Sequence, residues 1–182
     1  MPGRRRILKA LAVSGVAPLA AADWSNPFAR QWRNSFLSHW QVEKKYTLAF
    51  VEAMPAEYFD FKPTPAQRSF GEQLVHLGQA NTAYMRTFQI KTAPAAPRDI
   101  SKDSVRAYLT AVFDFVAEVL TSLGENDLER ADLRINERVK PHRGIDLFLR
   151  AYTHTAHHRG QTVVYLRLKG ITPPTWSFEP ST

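Results

Sequence analysis

No cysteine occurs in the 182 residues. Disulfides, thiolate zinc sites, iron–sulfur clusters and a thiol nucleophile carried by the chain are therefore excluded. Any bound metal must be held by histidine, carboxylate or water. An apolar run long enough to cross a bilayer is also lacking. The nearest candidate, Ile7 to Ala22, is interrupted by Lys9, Ser14, Gly15 and Pro18 and falls short of the ~20 apolar residues a spanning helix needs, so no permanent membrane anchor is expected. There is no internal repeat and no low-complexity run. What the chain does have is apolar and aromatic mass, 44% and 12% of its residues, which favours a packed core over disorder. Its length suits one domain.

Lys and Arg number 24 against 17 Asp and Glu, a formal charge of +7, and such an excess first suggests a nucleic-acid or membrane partner. Its position removes the suggestion. Arg4, Arg5, Arg6 and Lys9 lie in the first 22 residues, which hold no acid, so residues 23–182 carry 20 basic against 17 acidic side chains. They show no long basic run and no recognition-helix motif, and no nucleic-acid partner is expected. A basic head, an apolar stretch and the small residues Ala20, Ala21 and Ala22 before Asp23 give residues 1–22 the layout of an export signal. Arg4, Arg5, Ile7, Leu8 and Lys9 resemble the twin-arginine motif, with Gly3 where Ser or Thr is usual. The expectation is export, with cleavage near Ala22 and a periplasmic mature protein. A general secretory route and a basic tail on a cytoplasmic protein are the alternatives.

Beyond the leader, apolar residues recur three and four apart, with breaks at Pro and Gly, which predicts an all-α chain. A first helix from about Phe28 to Met54 carries Trp32, Phe36, Trp40, Phe50 and Met54 and ends at Pro55. A segment containing Pro63 and Pro65 follows. Ser69 and Glu72 form a capping-box pattern opening a second helix, whose seam is Phe70, Leu74, Leu77, Tyr84 and Phe88. A third helix starts at Asp99 or Ser101, buries Val105, Tyr108, Leu109, Val112, Val116, Val119, Leu120 and Leu123, and is expected to stop at a left-handed Gly124. After a polar stretch, in which residues 134–139 read as a short strand or an extended loop, a last helix runs from about Ile145 to Lys169 and closes at Gly170. Four amphipathic helices make a single four-helix-bundle domain over 23–182 the expected architecture.

The chemistry concentrates in the last helix, in YTHTAHHRGQ. His154 and His158 are four apart and share a helix face, so both imidazoles can point at one ion. His157 competes with His158. The row behind His158 (His154, Ala151, Leu147) is inward and the row behind His157 (Arg150, Asp146) is wetter, which favours His158. His76, beside the seam of the second helix, is a third candidate, while His39 and His142 have no comparable spacing. Three neutral imidazoles leave a tetrahedral ion one open position, which can lower the pKa of bound water toward ~7 or activate a thiolate. Gln161 is placed to hydrogen-bond a ligand imidazole or that water. Arg159 suits a substrate anion or a structural ion pair, Glu72 a cap, and Gly160 a close helix approach. No HEXXH motif is present, since Thr155 follows His154.

The single His of FGEQLVHLGQ, the Pro-containing segment before it, and HTAHHRGQ followed by YLRLKG and a Pro pair resemble the DinB/YfiT-like superfamily of four-helix-bundle metalloproteins. The resemblance covers nearly all of the chain after the leader. It implies up-down-down-up connectivity and a divalent ion, variously zinc, nickel or iron, on His76, His154 and His158. Relatives include transferases and isomerases that use low-molecular-weight thiols. A metal-dependent hydrolase or thiol S-transferase acting on an unidentified small molecule is thus the first functional expectation. A non-enzymatic, metal-stabilised bundle that binds or dimerises is the second. Trp24, Trp176 and Phe178 are expected to be exposed and available to a homodimer contact.

Overall fold

The structure, a computed structural model, describes residues 24–176. The leader expected at 1–22 and Phe178 lie outside them. Among the described residues five α-helices form: α1 (Pro27–Ala53), α2 (Phe70–Arg86), α3 (Lys102–Ser122), α4 (Glu125–Glu129) and α5 (Gly144–Leu168), with a 3₁₀ turn at Ala56–Tyr58. No strand forms among the described residues. The 134–139 segment is turn and loop, and the one pairing nearby is an isolated bridge between Leu133 and His142.

The helix boundaries follow local chemistry. Asn26 Oδ1 accepts from the backbone N–H of Phe28 at 2.9 Å, with Pro27 pre-set in the first turn of α1. At the other end Met54 is extended (φ −82°, ψ 124°), as the residue before Pro55 must be. The capping box of α2 is closed both ways: Glu72 N–H donates to Ser69 Oγ at 3.2 Å, and Ser69 N–H donates to Glu72 Oε2 at 2.7 Å. Ser101 caps α3. Helix α5 ends in a paired-amide stop, with Gly170 N–H donating to Arg167 O and Ile171 N–H to Leu166 O, both at 3.0 Å. Gly170 has φ 71°, where a side chain would be strained. Gly124 differs from expectation. Its φ of −90° is not left-handed, and α3 ends at Ser122 with Leu123 extended. Gly124 instead opens α4, donating its N–H to Asp127 Oδ2 at 2.9 Å.

Side-chain contacts fix the directions of the four long helices. Along α1 and α3, Lys44 meets Asp114 and Glu52 meets Arg106, so the partner number falls as the first rises and the pair is antiparallel. Between α1 and α5, Phe36 meets Phe148 and Glu43 meets Arg159, and the numbers rise together. Between α2 and α5, Gln73 meets His158 and Phe88 meets Phe148, which is antiparallel. Gly71 lies against Ile100 and Gly78 against Tyr108, so α2 and α3 are parallel. Up-down-down-up connectivity follows, with each long helix flanked by two others.

The interior has two apolar ends and a polar middle. One end gathers Phe36, Trp40, Phe113, Leu120, Leu147 and Phe148; the other gathers Phe50, Met54, Phe70, Leu74, Leu109 and Leu166. Each fully buried aromatic or leucine contributes about 1.5–3 kcal/mol relative to exposure. Trp24, expected at the surface, belongs to the first end: it is 8% exposed and its indole N–H donates to Leu123 O at 2.9 Å. Trp176 is 62% exposed. Between the ends lie Glu43, Thr47, Gln73, Asn81, Thr155, His158, Arg159 and Thr162, all buried.

Candidate metal centre

Helices α2 and α5 run antiparallel, which sets His76 opposite the His154/His158 pair. The ring centroids are 5.5 Å apart for His76–His154, 4.7 Å for His76–His158 and 4.2 Å for His154–His158. One ring nitrogen from each residue lies within 4.8 Å of the others. Metal–nitrogen bonds of ~2.0–2.1 Å need ligand nitrogens about 3.4 Å apart, so modest side-chain rotation would complete the set. His154 Nδ1 is buried and has no hydrogen-bond partner. Such an orphan is costly unless something else satisfies it. His157 points away: it is exposed, as the row-by-row reading of α5 requires. Neither His39 on α1 nor His142 before α5 joins the cluster.

The electrostatics keep the three rings neutral. Burial comes first in every case and disfavours the imidazolium. His154 is pushed down to about 4, further lowered by His76, His157, Arg150 and Arg68. His158 is also pushed down to about 4, with His154 and His76 adding to the burial effect. His76 is lowered by burial and then by Arg68. Neutral imidazole is the form that binds a metal.

A chain of side chains supports His158. Gln73 Nε2 lies 2.7 Å from His158 Nδ1 and also donates to Gln161 Oε1. The Gln161 amide nitrogen is in turn 2.9 Å from His157 Nε2. Gln161 thus sits one residue further from the rings than its spacing on α5 suggests, and Gln73 occupies the position between. Gln73 lies one turn before His76 on α2, and that i, i+3 spacing was the available signal. Asn81 and Thr155, paired at 2.9 Å, continue the polar contact between the two helices.

Arg159 and Glu72 fill structural places. Arg159 is 5% exposed, is ion-paired with Glu43, and has its guanidinium carbon 4.4 Å from the Tyr46 ring centroid. No substrate anion is needed to explain it. Glu72 caps α2 and pairs with Lys62 at 3.1 Å. Gly160 does not serve helix approach within the chain: it is exposed, and a Cβ there would meet nothing within 4 Å. The close approaches fall at Gly71, whose Cβ would come within 2.9 Å of Ile100, at Gly78, whose Cβ would come within 2.5 Å of Tyr108, and at Gly144, whose Cβ would strike the Asp127 carbonyl.

Beside the histidines opens a cleft of about 970 Å³, lined by His76, Gln73 and Gln161 from the site and by Lys62, Arg68 and Tyr165 among others. A site of this kind has ligand nitrogens on two helices and access from one side. It can hold a divalent ion while leaving a position open to a small molecule.

Residues 28–179 match the family model described as DinB family. Among solved structures, a DinB-like protein from Bacillus cereus ATCC 10987 is similar with a TM-score of 0.68 and 22% identity, over 78% of this chain and 95% of that one. A DinB-like protein from Bacillus subtilis gives a TM-score of 0.61 and 19% identity over the same shares. A comparison with curated proteins finds no match. The family match spans most of the sequence and the fold agrees with it, and the chain belongs to the DinB family.

Proposed function

We propose that His76, His154 and His158 hold one divalent ion, zinc, nickel or iron, and that the protein is a metal-dependent enzyme of hydrolase or thiol S-transferase type. The observation that carries this reading is the buried, partnerless His154 Nδ1 within a group of three neutral imidazoles beside an open cleft. A bound ion would supply Lewis-acid polarisation of a water, thiol or carbonyl at the open position.

The chain's own residues orient the site. Ligation through His158 Nε2 requires the proton on Nδ1. The Gln73 and Gln161 amides reach that state by turning over, so that His158 Nδ1–H donates to Gln73 Oε1. His157, at the end of the chain of amides, then donates from Nε2 to Gln161. Tyr84 stands edge-on to His154, its ring centroid 5.8 Å away, and limits that ring's rotation.

Elemental analysis of the purified protein, alongside His158→Ala, is the test. Stoichiometric metal in the wild type, lost in the variant while the fold persists, is the expected result. A metal-free wild type would overturn the reading. If the fold disappears with the metal, the non-enzymatic reading gains, in which the ion ties α2 to α5 and the bundle acts as a binding or dimerisation module. That alternative draws on the ligands' distribution over two helices.

We also propose export, with residues 1–22 removed near Ala22 to leave a periplasmic protein. Among the described residues, no helix is long and apolar enough to cross a membrane. Mass analysis of the protein from a periplasmic fraction should show a chain beginning near Asp23. The full-length chain in the cytoplasm would overturn export.

A further inference from the structure

The cleft beside the histidines is positively charged in a way the fold does not balance. Three ionic side chains line it: Lys62, Arg68 and Glu72. Lys62 and Glu72 pair at 3.1 Å and cancel. Arg68 is exposed and makes no ion pair among the described residues, although its backbone is held in place where its carbonyl accepts the Tyr165 hydroxyl at 2.7 Å. Its charge falls on the site, since it disfavours the protonated form of all three histidines. Three neutral ligands around a divalent ion would leave that ion's charge uncompensated as well. The same cleft has apolar lining, from Ile100, Val164 and Tyr165 among others. Val164 is 53% exposed and so presents apolar surface to the cleft.

We infer that this cleft binds a small organic carboxylate, its anionic end held by Arg68 and its apolar body lying along Ile100, Val164 and Tyr165. The direction of its reacting group, toward His76, rests on the metal reading above; the carboxylate contact itself does not. A phosphate fits less well, because the donors it would need at the start of α2 are already in use. Ser69 N–H goes to Glu72, Phe70 N–H to Phe61 O at 3.1 Å, Gly71 N–H to Phe59 O at 2.8 Å, and Glu72 N–H to Ser69 Oγ. The one cation of the lining left without an ion pair among the described residues is a planar guanidinium, which matches a carboxylate in a two-pronged contact.

The test titrates sodium hexanoate, its neutral counterpart hexanamide, and inorganic phosphate into zinc-loaded and metal-free protein. Calorimetry and backbone amide shifts are the readouts, with Arg68→Gln and Arg68→Lys as variants. Hexanoate should bind the wild type and shift the amides of Ile100 and Val164. Arg68→Gln should weaken it by about tenfold or more, Arg68→Lys by less, and zinc stoichiometry should be the same in all three. Equal hexanoate affinity in the wild type and Arg68→Gln overturns the inference. So do hexanamide binding as tightly as hexanoate, phosphate binding more tightly than hexanoate, and no hexanoate binding to a zinc-loaded protein. Should zinc fail to load while hexanoate still binds through Arg68, the metal reading falls and the carboxylate site stands.

Discussion

At mid-height α5 carries two adjacent polar residues that face different neighbours, and the fold treats them in opposite ways. Arg159 turns toward α1 and is enclosed: Glu43 neutralises it, Thr47 lies 3.4 Å from its guanidinium, and Tyr46 covers it. His158 turns toward α2 and joins two more imidazoles, one of which has a buried nitrogen with no partner. Both sides interrupt the apolar core at the same level. On the α1 side the interruption is fully compensated within the chain, as a structural ion pair must be. On the α2 side it is left incomplete and next to a cleft. Incompleteness at equal depth is what separates a site from a scaffold here.

The largest effect should come from breaking the completed side. Glu43→Ala strands the Arg159 charge and should cost about 3–5 kcal/mol of stability, measured by urea denaturation. Replacing both residues, as Glu43→Leu with Arg159→Met, should cost much less, because no charge is then left unpaired. A single variant as stable as wild type would show that the two sides do not differ in this way.

Acid should act on the other side. In the metal-free protein His154 and His158 titrate at about 4, below the unfolded value of 6.5. Protons therefore bind the unfolded chain first. This part of the stability is complete above about pH 6.5 and is lost as pH falls from there toward 4. Denaturation midpoints measured from pH 7.5 down to 4.5 should fall most steeply in that window. His154→Ala should flatten the slope.

Smaller effects sharpen the contrast. Gln73→Leu removes the hydrogen bond to His158 and should weaken metal affinity about 10–100-fold, read by competition with a chelator, with the fold retained. Smallest is Gly160→Ala. The position is exposed, helical and open to a Cβ, so the change should stabilise the protein by about 0.5–1 kcal/mol by the same urea assay.

Much of this was legible in the sequence because it depends on local spacing. The capping box at Ser69 and Glu72, the stop before Pro55, the helix end at Gly170 and the inward row Leu147, Ala151, His154 and His158 are all properties of neighbouring residues. What escaped were facts about which helices meet. Gly124 has the composition of a left-handed stop, yet the helix that follows it determines its conformation. Gly160 suggested close packing, whereas Gly71, Gly78 and Gly144 are the glycines that face another backbone or a ring. Trp24 was misplaced because its burial depends on Leu123, 99 residues away. Gln73 was overlooked for the same reason: its role exists only once α5 lies against α2.

The antiparallel docking of α2 on α5 also has a consequence for the unfolded chain. His76 and His154 stand 78 positions apart, with all of α3 and α4 between them. An ion gripping both would close a loop of that length and remove much of its freedom, as a cross-link does. Because closure cost grows with loop length, though slowly, a clip across so wide a span restrains the disordered ensemble more than a short one would. A metal here would thus act as a staple on the chain's entropy, whatever reaction it also serves.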